Sequence, residues 1–232
     1  MKKIEKDGII INYSDSLEEL ASATIELLKT KSLEYKELFN ITEMEVIKVN
    51  YFDTLNDFRE FIYKLRGEKE SLPEYAKGTY DNDMVNAYVD SKTQMDKLYT
   101  ASHELFHIFY MKYILKGNYE NRIIWYDEGM AQFLSGEDKK LHQKDNFKEY
   151  YLKVKESTKI IPKLNELEHG DAFYNESYNG YDLSYLTIRY LNEIMSVNDF
   201  RALMSDFDKI KAIGNNVLNE MFNYFDKKYL NN

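Results

Sequence analysis

The spacing of apolar residues changes character along the chain. Up to about residue 94, short runs of alternating apolar and polar residues are interleaved with runs of helical period; beyond it almost every segment is helical. Gly8 to Tyr13 reads as a strand. From Ser16 the period is helical, with Leu17, Leu20, Ile25 and Leu28 on one face, and Ser16-x-x-Glu19 has the form of a capping box. Met44 to Phe52, carrying Val46, Ile47, Val49 and Tyr51, predicts a second strand. Thr54 to Arg66 predicts a helix stopped at Gly67. Tyr75 to Val89 predicts a hairpin turning at Asp81-Asn82-Asp83. A long helix over Met95 to Leu115 then ends at Gly117, and another over Trp125 to Leu134 ends at Gly136. Further helices are predicted at Asn146–Glu156, Tyr181–Met195, Val197–Ile210 and Asn216–Tyr229.

This order of elements predicts an α+β fold: one domain over residues 1–232, with a sheet-bearing lobe over 1–94 and a helical lobe over 95–232. Two Pro and nine Gly are scattered without a linker-like run. Composition removes several classes of function. Lys and Arg total 31 against 40 Asp and Glu, a net charge of −9, which argues against nucleic acid as a partner. The absence of Cys excludes a disulfide scaffold, a thiol nucleophile and a Cys-ligated metal. Near the N-terminus the apolar run is only Ile9, Ile10 and Ile11, too short for a signal-peptide core. No stretch approaches the roughly 20 apolar residues of a membrane span. These features predict a cytoplasmic protein with no membrane partner.

The chemistry concentrates in His103-Glu104-Leu105-Phe106-His107. On a helix, residues four apart project from one side, a turn from each other, so His103 and His107 can bind one Zn²⁺. Glu104, one residue along, can take a proton from water activated there without itself being a ligand. Leu98, Leu105, Ile108 and Phe109 make the helix apolar over most of its surface, and buried imidazoles need partners. Two core histidines bonded to backbone carbonyls are the alternative. Asp127 and Glu128 follow His107 by 20 and 21 residues, in the segment Trp125-Tyr126-Asp127-Glu128-Gly129-Met130-Ala131. That interval allows the first helix to finish, the chain to turn at Gly117 and a second helix to return an acid as third ligand. A Gly after the acids permits close approach of that helix to a neighbour. Both acids compete for the role.

The two segments together resemble the gluzincin metallopeptidases, whose third ligand is the Glu of a W-x-x-E-G-x-A-type segment; Trp125, Glu128, Gly129 and Ala131 fall in register. The resemblance places the ligand directly before the Gly, and so implies Glu128. The metzincin pattern is not met, because Tyr110 and Tyr113 stand where Gly and His would be required. A looser likeness covers 160–195: Pro162-x-Leu164-x-x-Leu167 and the run from Tyr181 to Leu191 are similar to the C-terminal part of peptidase-MA-like domains. There, in the aminopeptidase-N-like branch, the first Tyr of the helix donates a hydrogen bond to the oxyanion. Carried over, that is Tyr181, with Tyr178 and His169 as alternatives in a Tyr-crowded region. Residues 1–94 match in architecture alone.

The resemblance implies a thermolysin-like zincin fold, one Zn²⁺ per chain on His103, His107 and Glu128, Glu104 as general base, and a peptide or protein substrate. It also implies a strand lining the cleft, for which Met84–Asp90 is the candidate. Two departures stand out. The aminopeptidase-N-like enzymes carry a G-x-M-E-N segment whose Glu holds the substrate's amino terminus; the nearest segment here, Asp83-Met84-Val85-Asn86, has Val85 in that place. This points to an endopeptidase. Thermolysin-like members also have an Asp four residues after the ligand Glu, where this chain has Gln132, so the ligand histidines must be supported differently, from Asp127 or a backbone carbonyl. These departures keep open a second reading, a metal-binding or interaction module that has lost proteolysis.

Overall fold

The computed structural model describes residues 1–67, 77–81, 83–138, 146–168 and 172–230. They are mixed α and β and form two compact units, Met1–Ile108 and Phe109–Asn232.

The first unit is built on a five-stranded mixed sheet of β1 (Lys2–Lys6), β2 (Ile9–Tyr13), β3 (Ile47–Phe52), β4 (Gly78–Asp81) and β5 (Met84–Tyr88), in the order β1-β2-β3-β5-β4. β2, β3 and β5 are parallel, and the outer strands β1 and β4 run antiparallel to their neighbours. Side chains alternate across the pleat. One face presents Ile9, Ile11, Val49 and Tyr51 to α1 (Glu18–Leu38), where the Tyr51 hydroxyl meets Thr24 at 3.0 Å. Leu17, Leu20, Ile25 and Leu28, the predicted apolar face, are all buried. The other face packs Phe52 and Tyr88 on Phe58 and Ile62 of α2 (Leu55–Arg66). On that face Asn12, Asn50 and Asn86 stand in register and pass side-chain hydrogen bonds along at 2.8 Å each, fixing the alignment of three parallel strands. α2 has the predicted ends: Thr54 accepts from the Asp57 amide, and Gly67 lies at φ 82°.

Four readings are corrected. β1 was not foreseen; its side chains are mostly exposed, and its ladder with β2 defines it. The Ser16–Glu19 capping box does not form, because a 3₁₀ turn (Asp15–Leu17) precedes α1 and the Ser16 hydroxyl donates instead to Asp53 at 2.6 Å. The strand Met44–Phe52 starts only at Ile47, with Val46 exposed. β5, the candidate cleft strand, lies inside the sheet between β3 and β4, so β4 is the edge. In the hairpin itself, Tyr75 and Asn82 lie outside the described residues.

The long helix is also divided. A 3₁₀ segment (Ser91–Lys97) leads into α3 (Thr100–Phe109), which passes into a π-helical turn (Tyr110–Ile114) before Lys116 and Gly117 reverse the chain at φ 50° and 79°. Tyr35 of α1 anchors α3 within the first unit, its hydroxyl donating to the Ser102 carbonyl at 3.2 Å and its ring lying edge-on to Phe106.

The second unit contains α4 (Ile124–Ser135), α5 (Phe147–Ser157), α6 (Gly180–Ile194), α7 (Val197–Ser205), α8 (Phe207–Lys211) and α9 (Val217–Tyr229). Its core gathers Phe147, Tyr151 and Phe225 from α5 and α9, with the half-buried Tyr229 ring stacked on Phe225. The single helix predicted over Val197–Ile210 breaks at Asp206, an extended residue whose side chain caps α8 by accepting from the Asp208 and Lys209 amides. α4 and α6 cross closely: a methyl group on Gly129 would stand 2.6 Å from the Ser184 carbonyl oxygen. Among the described residues no helix is long and apolar enough to cross a membrane.

Candidate metal centre

His103 and His107 stand one turn apart on α3, their ring centroids 4.9 Å apart and nearly perpendicular. His107 is buried and His103 partly so. Glu128 lies in the second turn of α4. Each of the three offers one donor atom, and these atoms all lie within 4.8 Å of one another, so the group could hold a metal ion. Donors around a tetrahedral zinc with bonds of about 2.1 Å stand roughly 3.4 Å apart. The spread here is somewhat wider. Two imidazoles and a carboxylate, with no thiolate in the chain, form the donor set of zinc sites that keep a fourth position open. The chemistry of the donor set therefore fits a metal ion.

Glu104 occupies a close-fitting place in the first unit. A methyl group on Gly78 of the edge strand would stand 2.8 Å from Glu104 Oε1, so the strand passes close to the carboxylate and an added methyl would push that side chain aside. Two residues on, the Tyr80 ring tilts against His107 with centroids 5.5 Å apart. Gly78 and Tyr80 point to the α3 face, whereas Thr79 and Asp81 point to the other, where both nitrogens of an Arg66 fork bind Asp81 at 2.5 and 3.0 Å. Sequence reading missed Gly78 and Tyr80 because it took the neighbouring strand as the edge. The available signal was Gly78-x-x-Asp81, a glycine and an acid three apart on the first strand of the hairpin before the helix.

Around Glu128 the second unit supplies an arginine. Arg122 donates through Nε to Asp127 Oδ2 at 2.5 Å and through Nη2 to Glu128 Oε1 at 3.0 Å. Asp127 is fully buried. Gln132 bonds the Tyr150 hydroxyl, which also donates to Asp182 at 2.7 Å. Burial pushes the Asp182 carboxyl above its usual range, partly offset by Tyr150 and Asn179, and burial likewise raises the Tyr150 phenol. A cavity of about 250 Å³ in this unit is lined by Arg122, Trp125, Leu164, Ile210 and Lys211 and by none of the three donor residues.

Tyr181 lies in the first turn of α6, 38% exposed, its amide donating to Asn179 and its ring edge-on to Phe173 at 4.8 Å. The Tyr178 hydroxyl donates to the Ala172 carbonyl at 2.8 Å. His169 lies outside the described residues. Compared with known proteins, the chain matches no protein-family model, and no curated protein matches it either.

Proposed function

We propose that the protein is a zinc-dependent peptidase of the gluzincin type that hydrolyses peptide bonds. The observation that carries this reading is the convergence of the His103, His107 and Glu128 donor atoms within 4.8 Å, with an acid beside the first of them at Glu104. When bound, zinc supplies Lewis acidity, drawing the pKa of water toward neutrality and polarising a carbonyl. The rest is the work of the chain. Glu104 accepts the proton of the attacking water as its oxygen bonds to the scissile carbon. It then delivers that proton to the departing nitrogen as the C–N bond breaks. Tyr181 donates a hydrogen bond to the developing oxyanion. β4, the outer strand of the sheet among the described residues and close to Glu104, aligns an extended substrate as an added strand. Asp81, the acid of that strand, is already held by Arg66, which favours internal bonds over the capture of a free amino terminus.

The deciding experiment is digestion of a diverse peptide library read by mass spectrometry, with zinc, with chelator, and with zinc restored. Internal cleavage that disappears with chelator and returns with zinc is expected. A zinc-loaded chain that cuts no peptide would instead leave a metal-binding or interaction module.

Gly78→Ala gives a finer check. The added methyl meets the far end of the Glu104 side chain, so the acid moves rather than the strand. Misplacement of a reacting group by an ångström costs up to about 100-fold. Turnover is expected to fall by about 10- to 100-fold, with zinc affinity and melting temperature near those of the parent. Unchanged turnover would remove Gly78 from the design of the site.

A further inference from the structure

We infer that Arg122 is a positioning residue that presents Glu128 to the metal and withholds Asp127 from it; this rests on the metal reading above. The sequence offers two adjacent acids before Gly129. Consecutive helical residues project about 100° apart, so only one of them can face a given point. The group of gathered donor atoms contains Glu128 and not Asp127. Arg122 touches both. Its Nε holds Asp127 at 2.5 Å and its Nη2 holds one oxygen of Glu128 at 3.0 Å. All three side chains are largely withdrawn from water, at 18% exposure for Arg122, 0% for Asp127 and 13% for Glu128.

The charges explain why one cation serves two acids. One guanidinium against two carboxylates leaves a single net negative charge, the amount one ligand carboxylate brings to a dication. The fork explains the direction. A guanidinium is planar, and its nitrogens diverge at fixed angles, so holding Asp127 on Nε dictates where Nη2 and hence Glu128 must lie. A lysine ammonium carries the same charge on a flexible stem and cannot fix two acceptors in that relation. Asp127 and Arg122 thus do for the carboxylate ligand what a hydrogen-bonded partner does for a ligand histidine.

The test uses the full chain loaded with Co²⁺, whose visible absorption reports its coordination. Affinity is measured by competition with a chromophoric chelator, and melting temperature is recorded without metal. Arg122→Lys is expected to weaken cobalt binding by about 10- to 100-fold and to alter the visible spectrum. Adding Asp127→Asn in that background removes the released competitor and is expected to recover part of the lost affinity. Asp127→Asn alone, which keeps an oxygen acceptor for Arg122 Nε but weakens the anchor of the fork, is expected to loosen cobalt binding by less than Arg122→Lys does. It reports even if Arg122→Lys folds poorly. A lowered melting temperature with unchanged affinity and spectrum in Arg122→Lys would overturn the assignment, as would failure of Asp127→Asn to rescue. So would a loss in Asp127→Asn alone equal to that in Glu128→Gln. A parent chain that takes up no cobalt would overturn the metal reading itself, and with it the assignment.

Discussion

Glu104→Gln is expected to lose peptide hydrolysis by about 10²- to 10⁴-fold while holding zinc as tightly as the parent, the span associated with removal of a general base. The amide has the shape of the acid, so the fit against Gly78, 2.8 Å from a methyl built there, is preserved. What is lost is a basic oxygen able to take a proton from water and return it to the leaving nitrogen. The metal should stay, because His103, His107 and Glu128 are the residues whose donor atoms gather, and Glu104 is not one of them. Turnover and bound zinc must therefore be measured on the same preparation. Hydrolysis undiminished in the variant would sink the mechanism. Loss of zinc together with turnover would make Glu104 a ligand rather than a base.

The parts of the fold that were legible in the sequence are those whose causes are local. α2 is framed by Thr54, which caps the Asp57 amide, and by Gly67 at positive φ, both within a turn of the helix ends. His103 and His107 share a helix side for the same reason: four residues are one turn. Where a distant partner intervened, local reading failed. Ser16 has the right neighbours for a capping box, but Asp53, far along the chain, takes its hydroxyl. Asp206 breaks a stretch of continuous helical period because its side chain starts a new helix, and apolar spacing does not register a cap. β1 carries little apolar signal, being an edge strand joined through its backbone to β2. Which of β4 and β5 is the edge depends on strand order, which periodicity does not encode. The choice between Asp127 and Glu128 was reached only through a resemblance; Arg122 supplies a physical reason for it, at a spacing of five and six residues that no helix-face argument would single out.

Gly129→Ala should be among the most damaging single-methyl changes available in the second unit. The new carbon would stand 2.6 Å from the Ser184 carbonyl oxygen, 2.8 Å from its carbonyl carbon and 2.9 Å from Ile188 Cγ1. Two of these three atoms are backbone, so no rotamer change relieves them, and trimming Ile188 would relieve only the third. α4 must move away from α6, and the contacts along their crossing open with it. Overpacking of this kind costs about 1–3 kcal/mol and occasionally more, and an unyielding backbone neighbour puts Gly129 at the upper end. A loss of about 3 kcal/mol would lower the melting temperature by roughly 6–12 °C in a chain of this length. Gly214→Ala is the matched control: nothing lies within 4 Å of the added methyl and its φ is not positive, so its melting temperature should stay near the parent's. The effect should also reach the metal, because Glu128 is the preceding residue and travels with the displaced helix. Zinc affinity is therefore expected to fall in Gly129→Ala and to hold in Gly214→Ala. A Gly129→Ala chain that melts with the parent would show that the helices part at no cost, and the close crossing would then have no part in placing Glu128.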